Sequence, residues 1–147
     1  MNGSQYLYNY ATRFLLERVS WLVDENRGIC NLVFEHRTST SYADLTSYIN
    51  SLLCDPRCQI RDGVIAGWMA VNKSQSKNLQ ITDALNGSVF AALEPDSFGN
   101  VEPTYILTLS PFLYRRGSNV FSYGLKLFPE SGLADNMEAR YPWLKNI

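Results

Sequence analysis

Ile29-Cys30-Asn31-Leu32-Val33-Phe34 is a short apolar, β-branched run that closes on Glu35-His36-Arg37 and then on the polar stretch Thr38-Ser39-Thr40-Ser41. A run of that length, ending in charge, reads as a buried strand. The spacing changes on both sides of it. From Gln5 to about Glu25, Leu7, Tyr10, Ala11, Phe14, Leu15, Trp21 and Leu22 recur three and four residues apart. With Ser4 as N-cap and Gly28 as a stop, they predict a long amphipathic helix. From Tyr42 to Cys54 the residues Leu45, Tyr48, Ile49 and Leu52 give a second helix, broken by Asp55-Pro56. Val64 to Val71 reads as a second apolar strand, Asn72 to Asn78 as a polar loop, and the following helix stops at Pro95. Strands alternating with helices of these lengths predict an α/β fold with parallel strands joined by crossovers. Ligands in such sheets gather at the carboxyl ends of the strands, and Glu35 stands at one.

Beyond Pro95 the pattern is less regular. Asp96-Ser97-Phe98-Gly99-Asn100 reads as a turn, Thr104 to Tyr114 as a helix interrupted by Pro111, and Val120 to Phe128 as a strand holding Gly124. Residues 130–147 are polar apart from Tyr141-Pro142-Trp143-Leu144, and read as a loosely ordered or docking tail. The chain thus divides into a domain over residues 1–129 and a C-terminal tail over 130–147.

A chain of 147 residues, 46% hydrophobic and 18% charged, is long enough for one buried core. Its net charge of −1 and lack of a basic tract give no compositional support for nucleic-acid binding. Cys30, Cys54 and Cys58 are an odd number, and with His36 the only histidine they make a four-ligand zinc site improbable. The start from Met1 to Gln5 lacks a signal-peptide pattern, and no apolar run reaches the roughly 20 residues of a membrane span. A cytoplasmic protein with no membrane partner is expected.

The stretch from Lys77 through Asn78-Leu79-Gln80-Ile81-Thr82-Asp83-Ala84-Leu85-Asn86-Gly87 to Phe90-Ala91-Ala92-Leu93-Glu94-Pro95-Asp96 carries the strongest local signal. It places the carboxylate of Asp83 in the first turn of an apolar helix. There it either complements the helix dipole or serves as a metal ligand. This stretch, the element order and the segment Gly124-Leu125-Lys126-Leu127-Phe128-Pro129 resemble the domain-of-unknown-function 3800 family over residues 5–129. The resemblance implies a ribonuclease H-like fold, a mixed sheet flanked by helices. It also implies Mg²⁺ or Mn²⁺ and phosphodiester cleavage of a nucleic acid. The family's opening strand carries an Asp-Glu-Ser-Gly-like string that this sequence lacks, so the chain reads as the later portion of such a domain, missing the first antiparallel strands and their aspartate. Carried over residue by residue, Asp83 and Glu35 are the catalytic and metal-ligand candidates, with Glu17 a weaker third.

Each of these residues also has a plainer reading. Glu35 can be an exposed charge beside His36 and Arg37, and Glu17 a surface residue bridging to Arg13 four positions earlier. His36 in a charged turn reads as exposed rather than as a general base. Arg18, in the middle of an apolar stripe, must snorkel or meet a carboxylate. Two functions of different class follow. One is a divalent-metal-dependent nuclease or phosphodiesterase, inactive if the absent aspartate is essential. The other is a non-catalytic binding or assembly module that pairs through an exposed sheet edge, as a homo-oligomer or with a segment supplying the missing strands.

Overall fold

The computed structural model describes residues 3–36, 41–126 and 133–147. The chain divides into two compact units, Met1–Leu79 and Gln80–Ile147. The fold is α/β: helices accompany one two-stranded parallel sheet.

In the first unit, α1 (Gly3–Glu25), β1 (Cys30–Glu35), α2 (Tyr42–Leu53) and β2 (Ile65–Val71) follow in the order the spacing predicts. The chain leaves α1 through Arg27 in the left-handed region at φ 54°, one residue before Gly28. The Gly28 N–H then closes the helix end on the Val23 carbonyl at 2.9 Å. β1 and β2 pair in parallel, with Asn31 opposite Gly67, Val33 opposite Met69 and Glu35 opposite Val71, after an irregularity between Cys30 and Asn31. Because side chains alternate along a strand, Leu32, Phe34 and Trp68 face inward. There they pack on Leu16 of α1 and on Leu45, Ile49 and Leu52 of α2.

The buried face of α1 differs from the expected stripe. Thr12, Leu16, Glu17 and Ser20 are buried, whereas Leu7, Leu15 and Leu22 are exposed. The buried hydroxyls are satisfied within the helix, Thr12 Oγ1 donating to the Tyr8 carbonyl at 2.9 Å and Ser20 Oγ to the Glu17 carbonyl at 2.8 Å. Returning a hydroxyl to its own helix lets a polar residue occupy a packed face, which hydrophobic periodicity alone does not register.

The second unit is built on α3 (Lys77–Leu93), which starts in the last residues of the first unit, and on α4 (Thr104–Leu109) and α5 (Leu133–Arg140). Its core joins Ala92, Ile106, Val120, Leu125, Tyr141, Trp143 and Leu144. Of the two readings of the C-terminal segment, loosely ordered or docking, its described residues take the docked one: a 3-10 turn over Pro142–Asn146 follows α5, and the Tyr141 hydroxyl donates to the Leu93 carbonyl at 2.7 Å. One expectation changes here. The expected strand from Val120 is, over its described residues, a turn with Ser122 at φ 65° and a bridge from Phe121 to Leu125. A Cβ on Gly124 would lie 2.6 Å from the Tyr114 carbonyl oxygen, so that glycine admits a crossing backbone and not a ladder. Leu127 to Phe128, the end of that expected strand, lies outside the described residues.

Candidate functional site

Glu35 ends β1 and is exposed. It lines a shallow cleft at the carboxyl end of the sheet with Tyr8, His36, Ser41, Tyr42 and Ala70. The cleft sits where ligands collect in parallel sheets. It brings together a carboxylate, an imidazole and hydroxyl groups, a set able to bind polar ligands. His36 is exposed as expected. Its backbone N–H closes the ladder on the Val71 carbonyl at 2.8 Å.

Asp83 is exposed on α3. The helix starts at Lys77 and has no acid in its first turn, so Asp83 falls in the second turn, out of reach of the dipole role expected for it. Glu35 belongs to the first unit and Asp83 to the second. Among the described residues no three of His, Cys, Asp and Glu group as a metal site.

Glu17 is buried, with only 4% of its surface exposed, which corrects its reading as a surface residue. Its carboxylate accepts from Arg13 Nε at 3.2 Å, from Arg18 Nη1 at 2.8 Å and from the Gln59 backbone N–H at 3.2 Å. Arg18 meets this carboxylate while its guanidinium lies over the rings of Phe14 and Trp21, at 4.7 and 4.8 Å from their centroids. Around this group α1 grips the loop after α2. Arg13 Nη2 donates to the Arg57 carbonyl at 2.8 Å, Trp21 Nε1 to the Gln59 carbonyl at 2.6 Å, and the Arg61 N–H to Ser20 Oγ at 3.0 Å. In the same loop the Arg57 side chain, helped by its N–H, holds the Asp55 carboxyl down to about 2. Glu17 is therefore a structural hub. The sequence signal for it was the adjacent Glu17-Arg18 pair with Arg13 one turn earlier, beside the hydroxyls of Thr12 and Ser20.

The sheet itself supplies the other candidate surface. The His36 N–H to Val71 carbonyl bond fixes which peptide groups of each strand meet the other. In a parallel ladder alternate residues of each strand bond to the same neighbour. The even-numbered groups of β1 therefore face β2, and those of Asn31, Val33 and Glu35 face away from it. On β2, beyond the irregularity, the groups of Trp68 and Ala70 face outward, and the outward carbonyl of Trp68 accepts from the Tyr42 hydroxyl at 3.0 Å. The edge of β1 has no strand beside it among the described residues. Val33 is 37% and Met69 51% exposed on the outer face.

Comparison with protein-family models, with curated proteins and with solved structures finds no match. No helix among the described residues is long and apolar enough to cross a membrane.

Proposed function

We propose that this protein is a binding and assembly module that joins a second copy of its own chain through the free edge of β1. The observation that carries this reading is the outward direction of the Asn31, Val33 and Glu35 peptide groups along a strand that has no second strand on that side among the described residues. Unpaired edges recruit strands, and a two-stranded sheet gains cooperativity from each strand added. A two-fold axis at Val33 makes self-pairing antiparallel with a consistent register. Val33 then meets the second copy's Val33, Asn31 meets its Glu35, and Leu32 meets its Phe34, so inward residues face inward residues. No like charges oppose each other, and each Glu35 carboxylate sits beside an amide. Three hydrogen-bonded pairs supply about six inter-chain bonds at about 1 kcal/mol net each. Set against an association cost of ~4 kcal/mol or more, the backbone bonds alone leave about 2 kcal/mol or less, so a dimer populated below about 1 mM draws as well on the Val33–Val33 and Leu32–Phe34 cross-strand contacts.

Val33→Pro tests it, because the Val33 N–H takes no part in the β1–β2 ladder and proline is tolerated where that donor faces solvent. The variant should keep its circular dichroism and sediment with a lower weight-average mass than the wild type. Leu32→Pro, which breaks the ladder, should lose the fold. A Val33→Pro chain with wild-type mass, or a wild type that stays monomeric up to about 1 mM, rejects the reading.

A second reading rests on the place of Glu35 at the carboxyl end of β1. In it the chain is the later portion of a cytoplasmic ribonuclease H-like domain of the domain-of-unknown-function 3800 type, with Glu35 and Asp83 as ligands for Mg²⁺ or Mn²⁺. Such ions activate water and neutralise the leaving oxygen of a phosphodiester. This reading expects Mn²⁺-dependent cleavage of nucleic acid, at least tenfold lower in Asp83→Asn with the fold intact. Cleavage equal in wild type and variant, or none with either ion, removes it.

A further inference from the structure

We propose that the apolar groove between α3 and α4 receives α3 of a second copy, the two α3 helices running antiparallel. The groove encloses about 510 Å³ and is lined by Ile81, Leu85, Gly87, Ala91, Tyr105 and Leu109. Ile81 is 59%, Leu85 41% and Tyr105 61% exposed, so the walls of the groove lie open. Gly87, mid-helix, weakens α3 by roughly 0.5–1 kcal/mol relative to alanine. A Cβ there would meet nothing within 4 Å among the described residues, so no contact among them requires the glycine. An occupant approaching the helix backbone would.

The charges of α3 identify that occupant. No lining residue is charged; besides Asp83 in its second turn, which does not line the groove, the helix carries Lys77 at its first residue, and Glu94 stands just past its last. Both signs oppose the helix's own dipole, which favours acids at the start and bases at the end. An antiparallel second copy reverses both relations: its carboxyl end and Glu94 come to Lys77, and its amino end and Lys77 come to Glu94. A parallel copy would set like charges together. With the two-fold axis level with Asn86, Leu85 lies level with the second copy's Gly87, which permits close approach, and Ile81 lies level with its Ala91. Lys77 then lies about 1.5 Å along the axis from the level of the second copy's Glu94.

This inference takes from the assembly reading only the second copy, and its test separates the two surfaces. In Val33→Pro, which blocks the strand edge, sedimentation equilibrium should still detect a dimer. Adding Lys77→Glu should weaken that dimer about tenfold, through two symmetry-related pairs, while raising the melting temperature of the dilute monomer because the acid now suits the dipole. Adding Glu94→Lys as well should restore the dimer. The proposal is overturned if Val33→Pro is monomeric, which leaves the strand edge as the sole interface. It is also overturned if Lys77→Glu leaves the dimer unchanged, or if the double exchange fails to restore it. If instead Val33→Pro assembles as the wild type does and the charge exchange controls that assembly, the groove stands and the strand edge fails.

Discussion

Replacing Glu17 with alanine should destabilise the first unit by about 3–5 kcal/mol, the range for breaking a buried ion pair by removing one member. The cost arises from what stays behind. Arg18 keeps only 12% of its side-chain surface in solvent and would lose the Glu17 carboxylate that it meets at 2.8 Å, and the Gln59 N–H would lose the acceptor it has there. Of the two arginines, Arg13 is the less affected, with 35% of its side chain in solvent and a second bond to the Arg57 carbonyl. Replacing Glu17 with leucine and Arg18 with methionine together should recover most of the loss. An apolar pair of similar volume needs no compensation for desolvation, and methionine still packs on the rings of Phe14 and Trp21. Chemical denaturation of the three chains checks this. A Glu17→Ala change costing under about 1 kcal/mol would match an exposed pair and would contradict the hub.

The second large effect belongs to Trp143. Truncation to alanine should cost the second unit about 3–5 kcal/mol, because the indole is 8% exposed and fills the core beside Tyr141, whose ring centroid lies 6.4 Å away. Trp143→Phe should cost less than half as much. The indole N–H is buried without an acceptor among the described residues, so phenylalanine removes a donor whose desolvation is uncompensated. Thermal melts of the two variants decide the matter. Equal losses would mean that the indole N–H is satisfied, and a loss near zero for alanine would mean that the segment is not part of the core.

These two residues also mark where the sequence was legible and where it was not. The alternation of apolar runs and helical spacing around Ile29 to Phe34 located β1, α2, β2 and α3 within a few residues, since those elements bury one face and period reports burial. α1 was located but turned about its axis, because polar residues with internal partners line its buried face. Glu17 was paired with Arg13 by spacing, yet its burial depends on the loop from Arg57 to Arg61, which folds back from some forty positions later. The C-terminal segment is polar through Leu133–Arg140, and only the patch around Trp143 announced its packing. The Gly124 turn was illegible because its cause is a backbone crossing at Tyr114, distant in sequence by ten positions. For the site, Glu35 was placed at a strand end and is there. The first-turn role of Asp83 dissolved once α3 was seen to start at Lys77. The outward register of Val33 required the ladder itself, since a strand's free edge is fixed by which neighbour it bonds.

Amide hydrogen exchange at Val33, followed as the protein is concentrated, tests that edge most directly. Exchange reports whether a given N–H is hydrogen-bonded in the populated state. If β1 pairs with β1 of a second copy, the Val33 amide gains protection as concentration rises through the association range, while the Leu32 amide, bonded within the chain, changes far less. A Val33 amide that exchanges at the same fast rate from the most dilute to the most concentrated sample would contradict the account.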